Sequence, residues 1–314
     1  LALVIVSMAA LACGRSGWGA QVMPRCEDSG ILALACEDDS ACHEQTVSFE
    51  AEPPRVLLVL DRSCSMQPRW STAVSALREV VERRGNDAAW GLSLFPDREF
   101  DACTQGELLT PIREGAAAGI SQRLFDSLDP QDPAYPSGPC PTNLVSALWQ
   151  ASGAFGDEPA QRVVLLITDG WDTCEGEDAS AESVQLLEQM RTDKGISTYV
   201  ISFPSDVSTQ SLEAFAVAGG TAREGDTAYY PTNGDDLSGI VDQIVGGLRC
   251  NYTMQVDPLD LPYLQVSIDG GPRVPRDPVD GWTYDEQLDR LSFHGLSCDQ
   301  LQGSSMQLDF SLQC

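Results

Sequence analysis

Between Arg55 and about Leu248, short apolar runs alternate with amphipathic stretches. The runs Val56-Leu57-Leu58-Val59-Leu60 and Val163-Val164-Leu165-Leu166-Ile167 are near-continuous, the pattern of strands buried on both faces. Residues 88–95, 197–203 and 227–230 read as further strands. The stretch 70–84 carries Val74, Leu77, Val80 and Val81 at helical spacing. Helices are also predicted over 116–128, 143–155, 180–193, 208–217 and 235–248, and an Asp-rich loop containing Cys103 follows Phe95. Strands alternating with helices predict an α/β fold, with a doubly wound, mainly parallel central sheet flanked by helices.

The flanks differ. Residues 13–54 show little periodicity, carry Cys26, Cys36 and Cys42, and end at Pro53-Pro54, which reads as a cysteine-containing tether. Past 249 the pattern turns to Pro-rich turns and alternation such as Leu264-Gln265-Val266-Ser267-Ile268, the mark of a small β-rich, disulfide-containing appendage over 250–314. The expected organisation is a signal segment over 1–12, the tether over 13–54, the α/β domain over 55–249, and the appendage.

Charge narrows the partners. Asp and Glu number 47 against 19 Lys and Arg, a formal net charge of -28, which repels phosphate backbones and points away from nucleic acid. The opening run Leu1-Ala2-Leu3-Val4-Ile5-Val6 to Ala12 is shorter than the roughly 20 residues a membrane span needs. It reads as a secretory signal that lacks its own start. Ala10-Leu11-Ala12-Cys13 resembles a bacterial lipobox, which would make Cys13 a lipidation site; the plainer reading is a secretion signal followed by an ordinary thiol. Of the 11 cysteines, setting Cys13 aside leaves an even number, consistent with disulfides in an exported protein.

Candidate chemistry sits where the two strongest strands stop. Asp61-Arg62-Ser63-Cys64-Ser65 follows the first, and Asp169-Gly170 follows the run ending at Thr168. In a parallel α/β sheet, ligands collect at the carboxyl ends of strands. A third loop, Pro139-Cys140-Pro141-Thr142-Asn143, precedes a predicted helix and offers the Thr142 hydroxyl, with Thr104 and Thr110 as alternatives. Two carboxylates and three hydroxyls form a hard oxygen set suited to Mg²⁺ or Ca²⁺. So few charged donors leave the ion electrophilic and short of an oxygen that a partner's carboxylate can supply. Short acidic and hydroxyl turns also cap helices without any ion, the competing use of Ser65 and Thr142.

At these positions the chain resembles the von Willebrand factor type A family and its metal-ion-dependent adhesion site. The resemblance covers about Arg55 to Leu248 and implies a Rossmann-like fold. It also implies that Ser63, Ser65 and Thr142 bind the metal directly or through water, with Asp61 and Asp169 acting often through water. One departure stands out: Cys64 occupies a place where the family usually has Gly, which only a backbone free of Gly-specific conformations tolerates. Cys64 pairing with Cys174 would clamp two metal loops, and Cys103 with Cys140 would staple the Thr142 loop. Arg62, Trp70 and Trp171 flank the site as a possible recognition rim. The alternative buries Trp70 under its own helix and lays Trp171 over a disulfide.

Three functions follow as expectations. The first is an exported, metal-dependent protein-binding protein of adhesion type, lipid-anchored in the cell envelope or secreted, and not an enzyme. The second is a metal-assisted hydrolase, which needs a general base such as Asp172 or Glu175. The third is a structural envelope protein whose type A fold is inert towards metal.

Overall fold

The computed structural model describes residues 33–34, 45–50, 53–96, 106–137, 140, 142–156, 160–170, 174, 179–203, 209–223, 225–253, 255–256, 261–286, 290–301 and 307–312. Two compact units emerge. The first spans Pro53–Cys250; the second combines Asn251–Leu301 with strands from both ends of the chain.

In the first unit, the predicted apolar runs become adjacent central strands. The sheet contains β1 (Arg55–Asp61), β2 (Ala89–Phe95), β3 (Glu107–Arg113), β4 (Arg162–Thr168), β5 (Ile196–Ser202) and β6 (Tyr230–Pro231). Their spatial order is β3-β2-β1-β4-β5-β6, and every pairing is parallel except β2 with β3. Strand order therefore reverses between β1 and β4, which lie side by side with Val56 opposite Val163 and Leu60 opposite Ile167. Such a switch point opens a crevice beyond the carboxyl ends of two neighbouring strands. Asp61 closes β1, and Asp169 follows β4 directly.

Helices α1 (Trp70–Arg83), α2 (Ala117–Asp126), α3 (Leu144–Gly153), α4 (Ala179–Lys194), α5 (Thr209–Ala218) and α6 (Leu237–Leu248) cover both faces. Strand side chains alternate between two cores, since successive residues point to opposite faces. Val56, Leu58, Leu60, Val163, Leu165 and Ile167 pack with α1, α2 and α6. Leu57, Val59, Val164 and Leu166 pack with α3, α4 and α5. Val56 to Leu60 are all 0% exposed, and each such side chain contributes about 1.5–3 kcal/mol by leaving water. These two cores hold the ends of β1 and β4 in fixed register.

The antiparallel strand β3 departs from the loop expected there. Pro111 sits inside it and removes a backbone donor, which argues against a strand. The structure reconciles the two: β3 is an edge strand, and its pairing with β2 shifts register between Trp90 and Ser93.

The second unit is mostly antiparallel. Strands Arg273–Val274, Leu264–Ile268, Gln307–Leu312 and Gln45–Glu50 form one sheet in that order. Trp282–Asp285, Arg290–Phe293 and Asn251–Thr253 form another, and Ala33–Leu34 pairs with Gln255–Val256. In Leu264–Ile268 the predicted alternation is observed: Leu264, Val266 and Ile268 are buried, and the residues between are half-buried. The segment before Pro53, read as a tether, thus contributes a strand over Gln45–Glu50. Its apolar residues Val47 and Phe49 alternate with polar ones, but its partner strand lies near the far end of the chain.

The layered core yields a stability prediction. Leu58→Ala, at a 0% exposed site, should cost about 2–5 kcal/mol in denaturant unfolding. Val217→Ala on α5, at a 61% exposed site, should shift stability by less than about 0.5 kcal/mol. Comparable losses at both positions would contradict the assignment of the core.

Candidate metal centre

The turn after β1 is built by its own carboxylate. Asp61 is completely buried, and its Oδ1 accepts a 2.8 Å bond from the Ser63 backbone N–H, which folds the chain back over the strand end. The other oxygen, Oδ2, accepts a 2.6 Å bond from the Thr168 hydroxyl at the end of β4. Thr168 in turn receives the Gly170 N–H at 3.0 Å. One carboxylate thus ties the first loop to the third across the switch point.

Burial has a consequence for charge. It pushes the Asp61 carboxyl up to about 6, with the negative charge of Asp169 adding to the rise; the bonds from Thr168 and Ser63 oppose it. Opposite charge near this pair is therefore favourable. Arg69 supplies some: its Nη1 donates to Asp169 Oδ2 at 2.9 Å and to the Ser65 carbonyl at 3.0 Å.

The hydroxyls continue the constellation. Ser63 Oγ and Ser65 Oγ lie 2.9 Å apart, and the Ser65 hydroxyl donates to Asp169 Oδ1 at 2.8 Å. Ser63 is buried and Ser65 exposed, so the set runs from the sheet edge to the surface. Thr142 is buried beside the third loop; a Cβ placed on Gly170 would lie 3.2 Å from its Oγ1. Thr110, an alternative for this position, lies within β3 opposite Leu92, and Thr104 falls outside the described residues.

Helix capping does not consume the Ser63 hydroxyl, and Ser65 does not cap α1. Ser63 starts a 3-10 turn, Cys64–Arg69, without a side-chain cap bond, and Arg69 is the residue preceding α1. The cap of α3 is Asn143, whose side chain accepts from the Ser146 N–H at 3.2 Å. Among the described residues, no group of three His, Cys, Asp or Glu side chains could hold a metal. The donor set here has a different composition, two carboxylates and three hydroxyls. Hydroxyl and carboxylate oxygens beside a buried, charge-disfavoured carboxyl fit a hard divalent cation.

The cysteine expectations are corrected. Cys64 pairs with Cys140 across 76 residues, with Cα atoms 4.5 Å apart, so neither a Cys64–Cys174 nor a Cys103–Cys140 bridge exists. Cys174 is itself disulfide-bonded. Three loops converge at the strand ends, and the 3-10 turn brings Cys64 against the loop entering α3. The bridge therefore fastens the Ser63–Ser65 loop to the Thr142 loop. The usual Gly position poses no conformational difficulty, because Asp269 is the sole non-glycine with positive φ among the described residues.

Two rim residues are also corrected. Arg62 is 4% exposed and turns inward, where Nε donates to Pro96 O at 2.9 Å and Nη1 to Pro133 O at 3.3 Å. A guanidinium carries five donors, and this one uses its Nε and Nη1 groups to bind two loop carbonyls together. Trp70 is 1% exposed, and its Nε1 donates to Ser127 O at 2.9 Å, so it packs within the core shared by α1 and α2. Trp171, Cys13, Asp172 and Glu175 lie outside the described residues. Sequence reasoning missed two contributors. Thr168 is signalled by its place immediately before Asp169, and Arg69 by its place four residues after Ser65, one turn along.

No protein-family profile matches the sequence, and no curated protein matches it. Solved structures do match. The pilus adhesin SpaC from Lactobacillus rhamnosus GG, in its open conformation, aligns over 88% of this chain and 42% of its own, at 12% identity and a TM-score of 0.50. Manganese-loaded TRAP from Plasmodium vivax aligns over 65% of this chain and 78% of its own, at 16% identity and a TM-score of 0.49. Proximal thread matrix protein 1 from the mussel byssus, with a zinc-occupied MIDAS motif, aligns over 64% and 48%, at 17% and 0.45. The chain spans about half the length of the SpaC and byssus proteins, 42% and 48% respectively. At these identities the likeness is one of fold.

Two predictions follow. A carboxyl held at about 6 when folded and 3.8 otherwise binds its proton more tightly in the native state. Its contribution to metal-free stability is therefore lost as pH rises from about 4 to about 6. Asp61→Asn should then stabilise the metal-free protein at pH 7 by about 3 kcal/mol, an advantage that vanishes below about pH 4 in denaturant titrations. Separately, replacing Cys64 and Cys140 by Ser should cost about 2–4 kcal/mol, read from unfolding midpoints.

Proposed function

We propose that this von Willebrand factor type A fold holds a divalent cation through Asp61, Ser63, Ser65, Thr142 and Asp169, and uses it to capture a protein ligand. The observation that carries this reading is the continuous oxygen chain from Ser63 through Ser65 to Asp169. It stands beside buried Asp61 at the carboxyl ends of two adjacent central strands. Hydroxyls in that position that are not spent on helix caps have a ligand as their natural use.

Each residue has a distinct task. Asp61 fixes the first loop through the Ser63 N–H and the third through Thr168, so its role is largely to set the spacing of the others. Ser63 and Ser65 present neutral oxygens, and Asp169 presents charge from the opposite loop. Thr142 enters from the loop that the Cys64–Cys140 bridge fastens to the first. When bound, the cation, Mg²⁺ or Ca²⁺, supplies an electrophilic position that an acidic group of the partner fills. The three neutral hydroxyls among the five donors favour this, because they add no charge of their own and leave room for an anionic oxygen on the ion.

The setting we propose is exported. The net charge of -28, the cysteine count and the apolar opening support a protein outside the cytosol, with Cys13 as a lipid anchor or a plain secreted form. The solved relatives named above include a pilus adhesin and metal-loaded proteins, in keeping with adhesion-type binding.

Thermal melting in Mg²⁺, Ca²⁺ or Mn²⁺ tests the reading. At a cation concentration one hundred times the Kd, the protein should gain about 2.7 kcal/mol of stability. Asp169→Ala and Asp61→Asn should abolish the gain. A shift of equal size in those variants, or none in the wild type, would reject the site.

A further inference from the structure

Arg69 closes the 3-10 turn that begins at Cys64, one turn beyond Ser65. A single nitrogen, Nη1, bridges the Ser65 carbonyl of the first loop and Asp169 Oδ2 of the third. The other Asp169 oxygen takes the Ser65 hydroxyl. Both oxygens of this carboxylate, whose side chain is 1% exposed, are therefore held from the first loop. Other ion pairs of the described residues serve elsewhere; for example, Arg83 and Arg84 reach Asp242 on α6, and Arg123 reaches Asp132. Arg69 instead meets a residue of the oxygen constellation directly.

The position suits exchange. Its side chain is 32% exposed, so the guanidinium can move into water at modest cost, while Asp169 cannot. A divalent ion entering among Ser63, Ser65 and Asp169 meets a like charge already fixed on the same carboxylate. Coulomb repulsion between the two is strong in a partly desolvated site. Without any ion, the same guanidinium offsets two carboxylates buried side by side.

We propose that Arg69 is the resident counter-cation of the site: it balances Asp169 in the metal-free protein and competes with the divalent ion for it, thereby setting the ion's affinity. This inference rests on the metal-binding reading above. Arg69 is consequently a positioning residue in the metal-free state and a brake on loading.

The test compares wild type, Arg69→Gln and Arg69→Lys by Mn²⁺ titration calorimetry and by metal-free melting at pH 7. Arg69→Gln is expected to melt lower without metal and to bind Mn²⁺ about tenfold more tightly, since the repulsion is gone. Arg69→Lys, which keeps the charge, is expected to bind within about threefold of wild type. Folded Arg69→Gln protein that binds Mn²⁺ no more tightly than wild type would overturn the inference while leaving the metal site standing. Equal tightening in Arg69→Lys would overturn the charge argument. A wild type that binds no Mn²⁺ would overturn the site itself, and this inference with it.

Discussion

The site depends on one buried carboxylate. Asp61 ends the central strand β1 in a place where water cannot reach it, and folding gives it bonds from the Ser63 N–H and the Thr168 hydroxyl. Those bonds only partly offset the cost of burying charge, as the carboxyl's rise to about 6 records. A second carboxylate, Asp169, stands across the same gap. Two such groups at the mouth of a switch point create a standing demand for positive charge, which Arg69 meets in part.

This arrangement couples fold and function through strand register. The two hydrophobic layers fix β1 against β4, and that pairing alone decides that Asp61 and Asp169 emerge as neighbours. The loops then add their oxygens within a few residues of the strand ends. The Cys64–Cys140 bridge ties the first loop to the loop entering α3, which reaches the same spot from a different face. Loops covalently fastened at the strand ends would lower the ordering that the proposed ion binding requires.

Much of this was legible in the residues, and the exceptions have physical reasons. Strands β1 and β4 announce themselves because burial on both faces demands unbroken apolar runs, and Asp61 and Asp169 are conspicuous for ending them. Strand β3 was hidden by Pro111, which an edge position tolerates. The strand Gln45–Glu50 was hidden by its non-local partner. Arg62 and Trp70 looked like rim residues since Arg and Trp suit recognition, yet both side chains turn inward to satisfy their own donors. Exposure is a tertiary property that local spacing does not encode. The same holds for the partner of Cys64: three loops meet at the strand ends, and only their packing selects Cys140.

The most direct test is anomalous diffraction from crystals of the protein grown with Mn²⁺. One strong peak is expected among the Ser63, Ser65 and Thr142 hydroxyls, near Asp61 and Asp169, with a water or a neighbouring carboxylate filling the remaining position. No peak there, or a peak whose coordination is completed entirely by this chain, would contradict it.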